Sequence, residues 1–335
     1  ELIATLNDGI RPVVKSVTRL THNVVEVRIN APLAAKMYKS GQFFRLQNYI
    51  ANSERVNDTT LAMEGVALTG ALVDPDKGEV SVISLDMGGS TNIIPHLKEG
   101  EHVILMGPTG SPTHTPGGET VLLAGGGLGN AVLLDINQAL HQAGSKVLYF
   151  AAYKLMEDRF HIDNIKAHSD CVVWCCDTGP GFEPDRPQDM TFVGNIVQAM
   201  EAYAKGELGE VEIPLNEVDY IIAVGSHFMM KAVGESRHTV LKPFLKPDHK
   251  GVASINSPMQ CMMKEICAQC LQPHRDPVTG EEKVVFSCFN QDQPMDLVDF
   301  NALNQRLLQN GVHEKLTRQW IAYCKEDLNK IRPSV

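Results

Sequence analysis

Apolar and polar residues alternate with a period of two through the first third of the chain. The pattern runs through Val13-Val-Lys-Ser-Val-Thr-Arg-Leu-Thr and Val24-Val-Glu-Val-Arg-Ile. It returns at Gly41-Gln-Phe-Phe-Arg-Leu-Gln, Val66-Ala-Leu-Thr, Glu79-Val-Ser-Val-Ile-Ser and His102-Val-Ile-Leu-Met-Gly-Pro. Successive strand side chains point to opposite faces, so each segment predicts a short, half-buried strand. Gly, Pro and Asp turns between them predict a small antiparallel barrel over 1–114. From about residue 118 the pattern changes. Val121–Leu123, Lys146–Ala151, Cys171–Cys176 and Tyr220–Gly225 are nearly unbroken apolar runs. Helical stretches at 130–143 and Val193–Ala204 fall among them. Strands alternating with helices predict a parallel α/β sheet over 115–250. A small third lobe is expected at 251–300, where cysteines cluster. The tail, 301–335, is predicted helical and amphipathic, with Leu303, Leu307, Leu308, Leu316 and Trp320 at helical spacing.

Composition narrows the class. A chain of 335 residues with 43% hydrophobic and 21% charged residues is long enough for two or three ordinary domains. Its 30 basic and 40 acidic residues leave a net charge of −10, which argues against nucleic acid or an anionic membrane as the main partner. No run of about 18 apolar residues occurs, so no membrane-spanning helix is expected. The first residues lack the basic start and apolar stretch of a signal peptide, and a cytoplasmic location is expected.

The cysteines then point to chemistry. Four of the eight are Cys261, Cys267, Cys270 and Cys288, spaced C-x5-C-x2-C with a fourth on a later segment. That is close to the C-x4-C-x2-C…C arrangement that holds a [2Fe–2S] cluster. The rival is structural zinc, which also takes four thiolates. A zinc ribbon needs a second C-x2-C, and the position that would complete one after Cys288 is Gln291. Cys171, Cys175 and Cys176 lie in an apolar strand and are expected to be buried packing residues.

A second motif says where electrons enter. The apolar run ending at Ala124 passes into Gly125-Gly126-Gly127-Leu128-Gly129 and then a helix. Such a turn lets backbone approach a pyrophosphate at a helix N-terminus. A nicotinamide nucleotide delivers two electrons together, whereas a [2Fe–2S] cluster takes one. A flavin, which can hold one electron or two, is therefore expected between them. No H-E-x-x-H, G-x-x-x-x-G-K-[ST] or G-x-S-x-G motif supports another reaction class.

With these motifs in hand, residues 10 to about 300 resemble the ferredoxin–NADP reductase superfamily. Within it they are similar to the dihydroorotate dehydrogenase electron-transfer subunit and to the small subunit of NADH-dependent ferredoxin:NADP oxidoreductase. Gly41-Gln-Phe-Phe-Arg resembles a barrel strand of that family. Ala67, Leu68 and Thr69 lie where the family has its flavin strand. Gly88, Gly89, Ser90 and Thr91 take the place of its flavin-phosphate turn, and Gly107-Pro-Thr-Gly110 resembles the end of its barrel. Gly125–Gly129 is similar to its nucleotide turn, and Gly225 to Lys231 to the segment bordering the nicotinamide.

The resemblance implies FAD bound through 67–69 and 88–91, with Thr69 facing the flavin ring. It implies NAD(P)H bound through Gly125, Gly126, Gly127, Gly129, Gly225 and Met229, and a [2Fe–2S] cluster on Cys261, Cys267, Cys270 and Cys288. Electrons would pass to or from another oxidoreductase subunit or domain. Asp177 is expected either to bind ribose hydroxyls or to cap a helix, and Met229 and Met230 either to border the nicotinamide or to pack in the core. Lys154 and Arg159 are candidates for a 2′-phosphate.

Two departures stand out. The family's flavin strand carries an arginine where this chain has Met63-Glu64-Gly65, and the first cysteine spacing is one residue longer, with an insertion around Arg275–Lys283. The flavin phosphates would then need another cation. The competing reading is a zinc-bearing scaffold subunit whose flavin and nucleotide sites are degenerate. Met259, Met262 and Met263 beside Cys261 are expected either to pack on the metal site or to meet a protein partner. The tail, having no evident core to cover, is expected to pack on a partner subunit or lead into a further domain.

Overall fold

A computed structural model describes residues 10–256, 261, 264–309 and 311–335. Met259, Met262 and Met263 lie outside the described residues, as do residues 1–9. The described chain divides into two compact units. One takes residues within 1–112, 257–270 and 304–335, the other 113–256 and 271–303.

The first unit is the expected antiparallel barrel-type sheet. Its strands are β1 (Val13–Arg19), β2 (Val24–Asn30), β3 (Phe43–Asn48), β6 (Val66–Asp74), β7 (Glu79–Leu85) and β8 (Val103–Thr109). They pair in the order β1-β2-β7-β6-β3-β8, and a bridge between Val13 and His102 brings the two edges together. A short helix, α1 (Pro32–Met37), starts on proline, which suits a first helical position. A small hairpin, β4 (Arg55–Val56) and β5 (Thr59–Thr60), turns through Asn57 and Asp58, both left-handed, as a two-residue hairpin turn requires. Alternate strand residues, among them Val25, Val27, Ile29, Phe44, Leu46, Val80 and Val82, fill the interior.

The second unit is a parallel sheet. Strands β9 (Thr120–Gly126), β10 (Lys146–Tyr153), β11 (Cys171–Cys176), β12 (Met190–Val193), β13 (Tyr220–Val224), β14 (Lys250–Ser254) and β17 (Asp292–Pro294) lie in the order β12-β11-β10-β9-β13-β14-β17. Only β17 runs antiparallel, pairing Pro294 with Val252 at the edge. Helices α2 (Gly129–Gln142), α3 (Ile162–Ala167), α4 (Ile196–Ala204) and α5 (His227–Ser236) connect the strands. The central strands are covered on both faces, which explains their unbroken apolar runs: Val121–Ala124, Val147–Ala151 and Cys171–Cys176 are all buried. Cys171, Cys175 and Cys176 are thus packing residues, as expected. Burial pushes the thiols of Cys171 and Cys175 up, Cys171 to about 12. Val193, expected to begin a helix, instead ends β12, and Asn195 caps α4 by accepting from the backbone N–H groups of Val197 and Gln198.

Two expectations about the last third change. Residues 251–300 are not a separate lobe. Strands β14 and β17 belong to the parallel sheet, and the insertion forms a hairpin of β15 (Leu271–Arg275) and β16 (Glu282–Phe286). Helix α6 (Phe300–Gln309) follows, then α7 (Gly311–Ile331). The tail does find a core within the chain. Ile321, Cys324 and Leu328 of α7 join the buried cluster of the barrel at 8%, 0% and 2% exposure, while Leu308, Leu316 and Trp320 stay exposed. The stripe that packs is displaced from the leucines that the sequence pattern emphasised. Polar contacts fix the helix in place. Trp320 Nε1 donates to Thr59 Oγ1 at 3.1 Å, Lys325 lies 3.5 Å from Asp86, Arg332 Nε donates to the His96 carbonyl at 2.6 Å, and Arg332 pairs with Glu101.

Two outcomes follow from this anchoring. Leu328→Ala removes a buried side chain shared by helix and barrel and should destabilise the barrel unit by about 2–5 kcal/mol, read from its urea unfolding transition. His96 is buried against the tail. Its Nδ1 donates to the Arg332 carbonyl at 2.7 Å, while its Nε2 has no partner among the described residues. Desolvation, reinforced by Lys325 and Arg332, pushes its pKa below the ordinary 6.5, against opposing contributions from the Arg332 hydrogen bond and Asp86. The unfolded chain therefore takes up the proton first as pH falls. Stability carried by the neutral ring should be complete above about pH 6.5 and decline below it. Unfolding midpoints at pH 8, 7, 6 and 5 should show this slope, and it should be smaller in His96→Gln.

Candidate functional site

In the parallel sheet the chain runs outward from β9 through β10, β11 and β12, then returns to the other side of β9 as β13. The carboxyl ends of β9 and β13 therefore flank the point where strand order reverses, the place where such sheets form a ligand crevice. Gly125 pairs with Val224 there. The approach is close. A Cβ on Gly129 would collide with the Val224 carbonyl, a Cβ on Gly126 would meet Met229 Sδ, and one on Gly225 would lie 3.3 Å from the Gly126 Cα. Gly127 is left-handed, exposed, and open to space on its Cβ side. Helix α2 begins directly after this turn, so its first N–H groups and positive end lie at the turn.

Asn130, which the motif reading missed, holds the turn. It is fully buried, and its amide donates to the carbonyls of Gly127 at 3.0 Å and Ala152 at 3.2 Å. Tyr149 donates back to its side-chain oxygen at 3.1 Å, and burial keeps that phenol neutral. A polar residue straight after the last glycine of the turn was the available signal. Gly225 and the half-buried Met229 are brought to the same point as Gly125–Gly129, because Ser226 caps α5 through the Met229 N–H at 3.2 Å. Met230 is core. Asp177 is exposed at the end of β11, one strand beyond β10, and caps no helix. Lys154 is exposed at the end of β10. Arg159 is half-buried, with its guanidinium 3.9 Å over the Phe182 ring and 5.3 Å from that of Trp174, which makes it a stacking residue.

In the barrel unit, Ala67, Leu68 and Thr69 lie on β6, with Thr69 half-buried opposite Phe43. The turn at Gly88–Thr91 is left-handed at Gly88 and Gly89. Its hydroxyls are partly engaged within the fold. Thr91 Oγ1 donates to the Gly88 carbonyl at 2.8 Å, and Ser90 Oγ accepts from the Glu64 N–H at 2.9 Å. That last bond ties the turn to the segment lacking the family's arginine. Two arginines stand there instead. Arg45 of β3 lies over Gly65, donating Nε and Nη2 to its carbonyl at 3.1 and 2.9 Å, in space that a Cβ on Gly65 would enter. Arg318 of α7 lies over Gly88, with Nε 2.7 Å from the position of a Cβ there. A glycine turn with two nearby cations suits a diphosphate.

Of the four cysteines, Cys261, Cys267 and Cys270 fall in the barrel unit and Cys288 in the other. The Sγ atoms of Cys261 and Cys267 lie 3.3 Å apart. Hydrogen bonds from the Gln269 N–H and then Cys261 hold the Cys267 thiol below the ordinary thiol range, toward the thiolate that binds metal. Lys264, Glu265 and Ala268 around it are all left-handed, a costly backbone for residues with side chains. Cys270 and Cys288 are buried. Among the described residues, no group of three or more potential metal-ligating side chains is assembled, so the structure does not bring the four cysteines together as a metal site.

No protein-family model matches the chain. An uncharacterised protein of Rickettsia prowazekii is 32% identical over 304 residues, covering 91% of this chain but 33% of its own length. The chain thus spans about a third of that relative. A protein of Thermotoga maritima named as a homologue of the dihydroorotate dehydrogenase B (NAD+) electron transfer subunit is 25% identical over 314 residues, covering 92% of this chain and 94% of its own. The subunit of that name from Bacillus pumilus is 21% identical over 80% of this chain and 95% of its own. Among solved structures, an NADH-dependent reduced ferredoxin–NADP oxidoreductase superposes with a TM-score of 0.72 at 22% identity, over 92% of this chain and 97% of the other. That likeness shows a shared fold. The chain is thus similar in sequence to proteins named as dihydroorotate dehydrogenase B electron-transfer subunits, and it shares the fold of the ferredoxin–NADP oxidoreductase structure.

Proposed function

We propose that the chain is an electron-transfer module linking NAD(P)H, through FAD and a [2Fe–2S] cluster, to another oxidoreductase subunit or domain. The observation that carries this reading is the closeness of Gly126 and Gly129 to Met229 and Val224 at the reversal point of the parallel sheet. That arrangement leaves open backbone at Gly127 for a nucleotide pyrophosphate. The relatives named as electron-transfer subunits support the same reading. FAD supplies the conversion between two-electron and one-electron transfer. Ala67, Leu68 and Thr69 would line its ring, and Gly88–Thr91 would hold its phosphates. Gly125–Gly129 and Gly225 would bind the nicotinamide nucleotide, with Met229 against the nicotinamide. Cys261, Cys267, Cys270 and Cys288 would ligate the cluster. In the Rickettsia relative the matching stretch is part of a much longer chain.

The lack of the family's arginine around Met63-Glu64-Gly65 favours the second reading, a zinc-bearing scaffold without flavin. Metal analysis and a visible spectrum of the anaerobically purified chain separate the two. Two irons with acid-labile sulfide and one FAD per chain support the module. One zinc without flavin supports the scaffold and defeats the module.

Cys267→Ser should abolish the cluster while flavin reduction by NAD(P)H persists at a reduced rate, followed by bleaching of the flavin band. Full flavin occupancy with no reduction would count against separable electron entry and exit. Gly127→Val places a branched side chain in the open space above the turn, at a backbone angle that disfavours it. Its affinity for the preferred nicotinamide nucleotide should fall tenfold or more, measured by titration with NADH and NADPH. Unchanged affinity for both removes the nucleotide site.

A further inference from the structure

The tail helix α7 lies on the flavin-phosphate turn, and this placement has a chemical consequence. Arg318 stands one helical turn before Ile321, on the side of α7 that continues through Lys325 and Leu328. Ile321 and Leu328 are buried in the barrel core, and Lys325 lies 3.5 Å from Asp86, two residues before Gly88. The stem of Arg318 therefore crosses Gly88, with Cγ 2.9 Å and Nε 2.7 Å from a Cβ position there, and the Thr317 methyl lies 3.7 Å from that of Gly89. Among the described residues Arg318 has no carboxylate and no hydrogen-bond partner. Asp86, just before the turn, is already matched by Lys325 and by Arg19 at 3.9 Å. In a chain with a net charge of −10, an arginine without a partner among the described residues, set over a turn of this kind, is suited to an anion.

We propose that Arg318 is a cofactor-binding residue, the cation through which the C-terminal helix holds the diphosphate of FAD at Gly88–Thr91, beside Arg45 on Gly65. This rests on the flavin reading above. It assigns the tail a role in retaining the cofactor and supplies the charge that the flavin strand lacks.

The test compares flavins with and without phosphate. Full-length wild type, Arg318→Ala and Arg318→Lys are freed of flavin and titrated with FAD and with riboflavin, following flavin fluorescence. Position 318 is exposed and helical, and alanine favours helix, so the variant folds. Circular dichroism and the unfolding midpoint check that it does. Arg318→Ala should weaken FAD binding about tenfold or more, as for loss of a charge-assisted hydrogen bond, and leave riboflavin binding unchanged. Arg318→Lys should recover part of the loss. If wild type binds FAD and Arg318→Ala binds it as tightly, or loses FAD and riboflavin equally, the proposal fails while the flavin reading stands. If wild type binds neither flavin, the flavin reading fails and takes this proposal with it.

Discussion

Two backbones can meet at the carboxyl ends of β9 and β13 because no side chain stands between them. Any residue larger than glycine at 129 would press on the Val224 carbonyl, and the same holds at 126 against Met229. This contact decides more than local packing. It sets the start of α2, brings Gly225 and Met229 to the turn, and leaves Gly127 as the exposed point. Asn130 and Tyr149 then lock the turn from below with buried hydrogen bonds. A site built in this way is preorganised, since its donors are main-chain groups held by the sheet rather than side chains that must be ordered on binding.

The barrel unit meets a different requirement. Its strands supply an apolar interior, yet part of that interior is closed from outside by a helix far away in sequence. Ile321, Cys324 and Leu328 complete a core that begins at Val14. Around this apolar contact sit Trp320, Lys325 and Arg332, each bonded to a different part of the barrel unit. The apolar part gives most of the stabilisation, and the polar contacts fix the helix's orientation. The exposed apolar residues left on α6 and α7, among them Leu308, Val312, Leu316 and Tyr323, remain available to further protein.

Much of this was legible in the sequence. Period-two alternation located six barrel strands, and unbroken apolar runs located four parallel ones, because burial on one face or two dictates those patterns. The glycine turn was readable for the same reason that it works: backbone proximity excludes side chains. What escaped was long-range. Nothing local tells that Lys250–Ser254 and Asp292–Pro294 join the parallel sheet, since short strands take their meaning from their neighbours. The tail's buried stripe was missed because Cys324 is a weak apolar signal and the conspicuous leucines lie elsewhere. Arg45 and Arg318 were unreadable as a pair, being 273 positions apart and united by the fold alone.

The last strand of the parallel sheet matters beyond the site. An open parallel sheet exposes a row of backbone donors and acceptors at its rim, and a second molecule can extend it. Here β17 runs against β14 for three residues and ends in Pro294, which has no N–H to offer. Growth from that rim is blocked at one position by covalent structure, and the remaining ladder is too short to template another strand. Extension of the sheet from this rim by a second molecule is thereby disfavoured.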